Sequence, residues 1–388
     1  MKKIIASAVG LMIGGGLLVT NVQAEVENQF GGYWRTRFSV ADNVANKPDS
    51  SFARVDTRTR LYYTAKFTDD FKFVNKLEWN TSWGDTNGGD LGTDGDTLKF
   101  KHSYVDYNMG SLRTQVGLQA AWYGRGILFD DDFAGITLTP TFGNVKLPII
   151  WMNLKNENSG NDNDYNVFMV APEFKVSDAM TVTPYVMYAK ADGDQDEEYW
   201  YIGGDIDAKL SAVSVYGTGI YQGGDVMDVD KSAWAFLVGA DAGIAHGQFL
   251  YATGNDLGDT DNDAYVSVSP WYTTSEIMGE GMFSAGAAPG VTGWDPSNKM
   301  FIGGGVTIKP AEKWTLTGDV WYGMTAEDDA FGNDAIGLEF DLLATYNLID
   351  RMNLDMVAAY LFADDVVEAA AGNDDDVWEL GARLSFSF

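Results

Sequence analysis

Period-two alternation runs along nearly the whole chain after residue 25. From Ala53 to Phe67 the even positions Arg54, Asp56, Arg58, Arg60, Tyr62, Thr64 and Lys66 are polar or amphipathic. The odd positions Ala53, Val55, Thr57, Thr59, Leu61, Tyr63, Ala65 and Phe67 are apolar or uncharged. Successive side chains of a strand point to opposite faces, so this segment has one wet and one greasy face. In an earlier segment Tyr33, Arg35, Arg37 and Ser39 oppose Trp34, Thr36, Phe38 and Val40. In a later one Phe71, Phe73, Leu77, Trp79 and Trp83 oppose Lys72, Lys76, Glu78, Asn80 and Ser82.

Two kinds of connection alternate between such segments. The short kind comprises 68–70, 108–111, 143–144, 176–179, 210–212, 245–247, 310–313 and 348–351. The long kind comprises 41–50, 84–96, 123–133, 156–164, 191–198, 222–230, 254–297, 326–334 and 363–376. The long connections hold 37 of the 56 acidic residues and two basic ones, Lys47 and Arg125. Tight turns alternating with long polar loops are the plan of a transmembrane β-barrel. The pattern predicts an all-β fold, an antiparallel up-and-down barrel of about 16–18 strands. A soluble sandwich or β-helix would need a second layer over the greasy face, and no helical or repeated core pattern supplies one. In a bilayer, lipid covers that face and closure pairs every backbone group.

Composition sharpens this picture at the N-terminus. Lys2 and Lys3 precede an uncharged run from Ile4 to Val19, and Val22-Gln-Ala24 ends in small residues, so 1–24 is expected to be a cleaved signal peptide and 25–388 the barrel. Removing the signal leaves 24 Lys and Arg against 56 Asp and Glu, a net of −32. So acidic a chain is a poor ligand for nucleic acid, whose phosphates need Lys and Arg. The absence of cysteine excludes a lipoprotein anchor, a disulfide framework, Fe–S ligation and c-type haem attachment. No uncharged apolar run of 18 residues follows Ala24, so helical spanning is not expected. No cofactor is implied.

The chain ends Arg383-Leu-Ser-Phe-Ser-Phe388, with Leu384, Phe386 and Phe388 on one face. This resembles the terminal strand of Gram-negative outer-membrane proteins, where such residues form the signal for the barrel-assembly machinery. Further likeness lies in Gly32-Tyr-Trp-Arg-Thr-Arg-Phe38, Arg58-Thr-Arg-Leu61, Tyr104-Val-Asp-Tyr107, Val116-Gly-Leu-Gln119, Tyr123-Gly124 and Gly135-Ile136. These motifs resemble the N-terminal half of Gram-negative porins of the alginate-export and related putative-porin type, and abundant porins of metal-reducing bacteria. The chain departs from them at Leu118, where an arginine is common. The resemblance implies residence in the cell outer membrane among its lipid and lipopolysaccharide. Barrels of 16 or 18 strands are commonly homotrimers.

The candidate chemistry lies on the wet face of the first strands. Arg35, Arg37, Arg54, Arg58, Arg60, Lys66, Lys72, Lys76, Lys99, Lys101 and Arg113 collect there against Asp56 and Glu78. Fixed positive charge along a low-dielectric pore wall raises the local anion potential, and arginine keeps its charge at any physiological pH. Thirteen of the 24 mature basic residues precede residue 126, so the lumen is expected to be electrically lopsided, favouring small anionic or neutral solutes. A plainer reading makes these ordinary solvated lumen residues, partly paired with Asp56 and Glu78. The constriction is expected from 123–133, where Arg125 faces Asp130, Asp131 and Asp132, with the long segment 254–297 as a lid or partner surface. The acidic runs 192–198, 255–263 and 373–376 suit a solvated surface better than a calcium loop, whose glycine and final glutamate are missing.

Catalysis finds little support. His102 falls on the lipid-facing phase, His246 in an expected turn, and neither is near a nucleophile. The expectation is a water-filled channel for passive diffusion of small hydrophilic solutes with moderate anion preference. Two alternatives stay open: a structural barrel that sheathes or anchors an electron-transfer or export complex, and a substrate-specific channel for acidic sugars or carboxylates.

Overall fold

The computed structural model describes residues 26–45, 47–84, 98–155, 164–191, 197–226, 229–256, 262–283, 286–328 and 332–388. The expected signal peptide, 1–24, lies outside these residues, as do 192–196 of the acidic runs.

Eighteen antiparallel strands form one closed wall. They are β1 (Glu27–Val44), β2 (Lys47–Lys66), β3 (Phe71–Ser82), β4 (Lys99–Met109), β5 (Leu112–Tyr123), β6 (Phe129–Phe142), β7 (Val145–Lys146 and Ile149–Lys155), β8 (Tyr165–Val170 and Glu173–Ser177) and β9 (Met180–Ala191). Then follow β10 (Glu197–Leu210), β11 (Val213–Val226), β12 (Val229–Ala242), β13 (Ala245–Ala252), β14 (Lys299–Ala311), β15 (Trp314–Met324), β16 (Ala335–Ile349), β17 (Met352–Ala363) and β18 (Val377–Ser387). The interruptions in β7 and β8 fall at Pro148 and Pro172, which have no N–H to give the ladder. Each strand pairs with the next, and β18 returns to β1 from Tyr33↔Ser387 to Asp42↔Trp378. The last residue completes this seam: Gly32 N–H donates to the Phe388 carbonyl at 2.8 Å, and Phe388 N–H donates back at 3.1 Å. The Phe388 ring lies over Gly32 so closely that a Cβ there would stand 2.3 Å from it. Phe388 is exposed on the outside, next to Phe386.

The eight expected turns are all present, with the one placed at 245–247 shifted to residues 243–244, between Ala242 and Ala245. Gly243, like Gly110 and Gly143, takes a positive φ, as tight hairpins require. Several loops are shorter than expected, because strand pairing runs on to Val44↔Lys47, Tyr123↔Phe129, Ala191↔Glu197 and Val226↔Val229. The stretch 363–376 holds a short helix, α1 (Asp365–Ala371), capped by the Asp364 carboxylate.

Outside, apolar side chains form a belt between two aromatic girdles. Trp200, Tyr221 and Trp234 pack against one another at the loop end, with centroids 5.1 and 4.5 Å apart. Phe67, Phe71 and Tyr107 do so at the turn end. Inside, the barrel is partly filled. Inward residues such as Met152, Met169, Met187, Tyr201, Leu237 and Phe301 are buried against Ile127, Leu128, Phe129, Tyr265, Ile277 and Met278, which belong to two segments folded into the lumen.

Candidate pore and its constriction

The strand register gathers the basic residues on the inside of β1–β5. Rows across the sheet run Arg35–Arg58–Asn80, Arg37–Asp56–Ser82 and Tyr33–Arg60–Glu78. Asp56 receives three arginines: Arg37 Nε at 2.6 Å, Arg54 Nε at 3.4 Å and Arg35 Nη2 at 4.0 Å. Glu78 receives Arg60 at 2.5 Å and Arg58 at 3.7 Å, and Arg58 also donates to Asn80 at 2.6 Å. Five guanidinium groups therefore gather on two carboxylates, which hold the side chains in place, and the charges of Glu379 and Glu280 also reach Arg54. Lys99 stands opposite Glu78, and Lys76 lies 5.6 Å from the centre of the Tyr62 ring. Arg113 forms a two-pronged pair with Asp106 at 2.7 and 2.9 Å, joined by Lys72 at 3.3 Å. Asp106 was not counted against the basic face from sequence. Lys66 pairs with Asp69 at the turn end.

A hairpin crosses the lumen from the adjoining wall. Pairing of β4 with β5 stops at Ser103↔Leu118, and pairing of β6 with β7 stops at Ala134↔Asn153. Beyond these rows β5 and β6 pair only with each other, from Gln119↔Phe133 to Tyr123↔Phe129, so the hairpin leaves the wall on both sides. Its tip, Gly124–Gly126, has three successive left-handed residues with φ of 60°, 54° and 82°. Glycine adopts this freely, but Arg125 is strained there. Its side chain supplies the compensation. It bonds Asp207 at 2.6 Å and the Ile206 carbonyl at 3.0 Å on β10, and lies 4.8 Å from the Tyr216 ring on β11.

The segment between β13 and β14 runs along this tip. The N–H groups of Val268 and Ser269 donate to Leu128 O, and that of Trp271 to Gly126 O, while Asp130 N–H donates to Ser269 O. Farther on, Glu339 accepts from Ile277 and Met278 N–H at 2.6 and 2.8 Å, and Asp341 accepts from Glu276 N–H at 3.1 Å. Arg37 Nη1 then donates to Met282 O at 3.0 Å. Two buried lysines pin the shoulders of the segment: Lys231 to Asn262 and Ala264, and Lys299 to Gly293. Burial pushes the Glu280 carboxyl up, against the N–H groups of Trp294 and Ala287 that favour its charge.

Several sequence expectations change here. The described residues of 254–297 do not cover the barrel from outside; they fold into it, against the 123–133 hairpin. Arg125 does not face Asp130, Asp131 and Asp132 across an opening but docks on the far wall. Asp131 accepts from Ser269 Oγ at 2.8 Å, and Asp132 holds Lys101 at 2.6 Å and His102 at 3.1 Å. His102 is not lipid-facing: Lys101 is an extra residue in β4, where Lys76 pairs with His102 and Leu77 with Phe100, and this bulge turns His102 into the inward row. His246 is not in a turn but in β13, 2.6 Å from Asp319. Trp271, half exposed, stacks on Trp294 at 4.6 Å, and Trp122 lies beside it. Their signal in the sequence was only an aromatic residue in a polar loop.

No protein-family model matches the chain, and no curated protein does. Solved structures match its fold over nearly full length. Acinetobacter baumannii OccAB1 shares 13% identity over 95% of this chain and 99% of that one, with a TM-score of 0.62. Pseudomonas aeruginosa OpdL shares 12% over 93% and 99%, also at 0.62. P. aeruginosa OpdK, crystallised with vanillate, shares 10% over 93% and 98%, at 0.60. At such identities the likeness is one of fold: the chain has the closed 18-stranded barrel of these outer-membrane porins.

Proposed function

We propose that the protein is a Gram-negative outer-membrane porin, exported through its N-terminal signal, with the tight turns toward the periplasm and the long connections outside. It lets small hydrophilic solutes diffuse down their gradients with moderate anion preference. The observation that carries this reading is the gathering of five arginines around Asp56 and Glu78 on the inner face of β1–β5. There Arg54, Lys72 and Arg113 keep between about a third and a half of their side chains exposed, whereas the opposite inward face is covered. Sieving by the constriction and the field of the arginine rows together select the solute.

A substrate-specific channel for acidic sugars or carboxylates is the second reading. It is favoured by the half-exposed Trp271–Trp294 stack at the constriction, a surface suited to flat rings. A sheath for a redox or export partner is disfavoured, since Ile127, Leu128 and Tyr265 occupy the space such a partner would thread. The kinship with alginate-export porins rests on the N-terminal motifs alone. Single-channel recording tests the main reading: the reversal potential in a salt gradient is expected to show chloride preference, and strong cation preference would overturn it. Saturable current block by ring carboxylates would favour the second reading over a general pore.

A further inference from the structure

Acids fasten the infolded segment to β16. Glu339 is fully buried and accepts from the N–H groups of Ile277 and Met278 and from the Ser275 hydroxyl. Asp341, two residues on and on the same inward face, accepts from Glu276 N–H. Glu276 is itself buried, and its carboxylate accepts from Met282 and Phe283 N–H, closing the segment on itself. Three carboxyls thus hold five N–H groups between Glu276 and Phe283.

The carboxyls of Glu339 and Asp341 also hydrogen-bond each other. Ionised carboxylates only accept, so this contact needs a proton on one of the two. Asp341 Oδ1 is shielded from solvent and receives no N–H or O–H from the chain, which marks it as the oxygen that carries the proton toward Glu339. No cation stands in for that proton: among the described residues neither carboxyl pairs with Lys, Arg or His. On β15 the residue opposite Asp341 is Asp319, which holds His246 of β13 at 2.6 Å. On β17 the uncharged Ala359 and Leu361 stand opposite, with Glu379 of β18 beyond Ala359. The segment adds Glu276 and, farther along, Glu280, while Arg37 reaches only the Met282 carbonyl. Once the segment leaves the wall, both carboxyls meet water and ionise at neutral pH. The docked state therefore holds one proton more than the released state.

We propose that Asp341 and Glu339 form a proton-held latch: the proton shared between them keeps 275–283 on the wall, and alkali releases the segment and widens the pore. This rests on the channel reading above. Bilayer recording of the whole protein at constant salt, from neutral to alkaline pH, tests it. Linkage of one proton makes the ratio of wide to narrow dwell time rise about tenfold per pH unit, and the change should reverse on acidification. In Asp341→Asn the amide still donates to Glu339 but does not titrate, so the ratio should stay flat. A second measurement needs neither current nor that variant. The chain has no cysteine and Met278 is fully buried, so Met278→Cys should react with a maleimide faster as pH rises, relative to Asp350→Cys in an exposed turn. A flat ratio in the unaltered protein, the same slope in Asp341→Asn, or relative labelling that ignores pH overturns the latch. Labelling that responds to pH while no current flows at any pH would instead overturn the channel reading.

Discussion

The two sides of the lumen obey opposite rules. On β1–β5 inward positions are charged and outward ones mostly apolar, so each strand alternates and its inner face meets water. From β6 to β15 the inward positions include Met152, Met187, Tyr201, Leu237, Phe301 and Trp321, all nearly inaccessible, with Asp205, Gln222, Lys231 and Lys299 buried among them, and the inner face is largely apolar too. The difference is in what covers the inside: solvent in one case, the 119–133 hairpin and the described parts of 254–297 in the other. The polarity of an inner wall thus records its neighbour, and a barrel can carry a side-chain core over part of its lumen and a channel over the rest.

The largest test of this contrast is to remove the cover. Replacing 264–291 by a short Gly-Ser linker should raise conductance several-fold, abolish most selectivity and lower the temperature of heat-dependent mobility change, because the apolar wall is then wetted. Unchanged conductance would place the passage elsewhere. Weaker, but still large, is Glu339→Ala. It orphans the N–H groups of Ile277 and Met278, at a cost of about 1–3 kcal/mol each, and should give noisy, intermittently wide channels; quiet wild-type traces would show that the segment is held without this carboxylate.

On the wet side, changing Arg37, Arg58 and Arg60 together to glutamine should move the reversal potential toward cations. Neutralising Asp374, Asp375 and Asp376 should barely move it, since charges on the outer connections are screened within about 8 Å at physiological salt. If the loop variant shifts selectivity more than the ladder variant, the arginine rows are not what selects. The smallest effect is expected from Asp56→Asn: it leaves Arg35, Arg37 and Arg54 without their shared counter-charge, so anion preference should rise slightly while thermal stability falls. A shift toward cations would contradict this.

Much of the fold was legible because local chemistry dictates it. Hairpin turns, alternation on β1–β3, the terminal Leu384-Ser-Phe386-Ser-Phe388 and the arginine rows follow from period two and turn residues alone. That 123–133 turns inward was legible, but where it docks was not: the bonds join Arg125 to Asp207 and Ile277 to Glu339, pairs that no local pattern links. Strand extent failed where pairing outlasted polarity, as at Val44↔Lys47. His102 was misplaced because one extra residue, Lys101, reverses the phase of everything after it, and periodicity cannot see a bulge.

The seam between β1 and β18 also bears on how such a molecule comes into being. Tyr33 finds its partner in Ser387, and Gly32 in Phe388, so one edge of the first strand stays unsatisfied until β18 has been made. An open sheet edge is a template for wrong partners, and contacts so distant in sequence are slow to form. The closed seam removes that template, with the ring of Phe388 seated over Gly32.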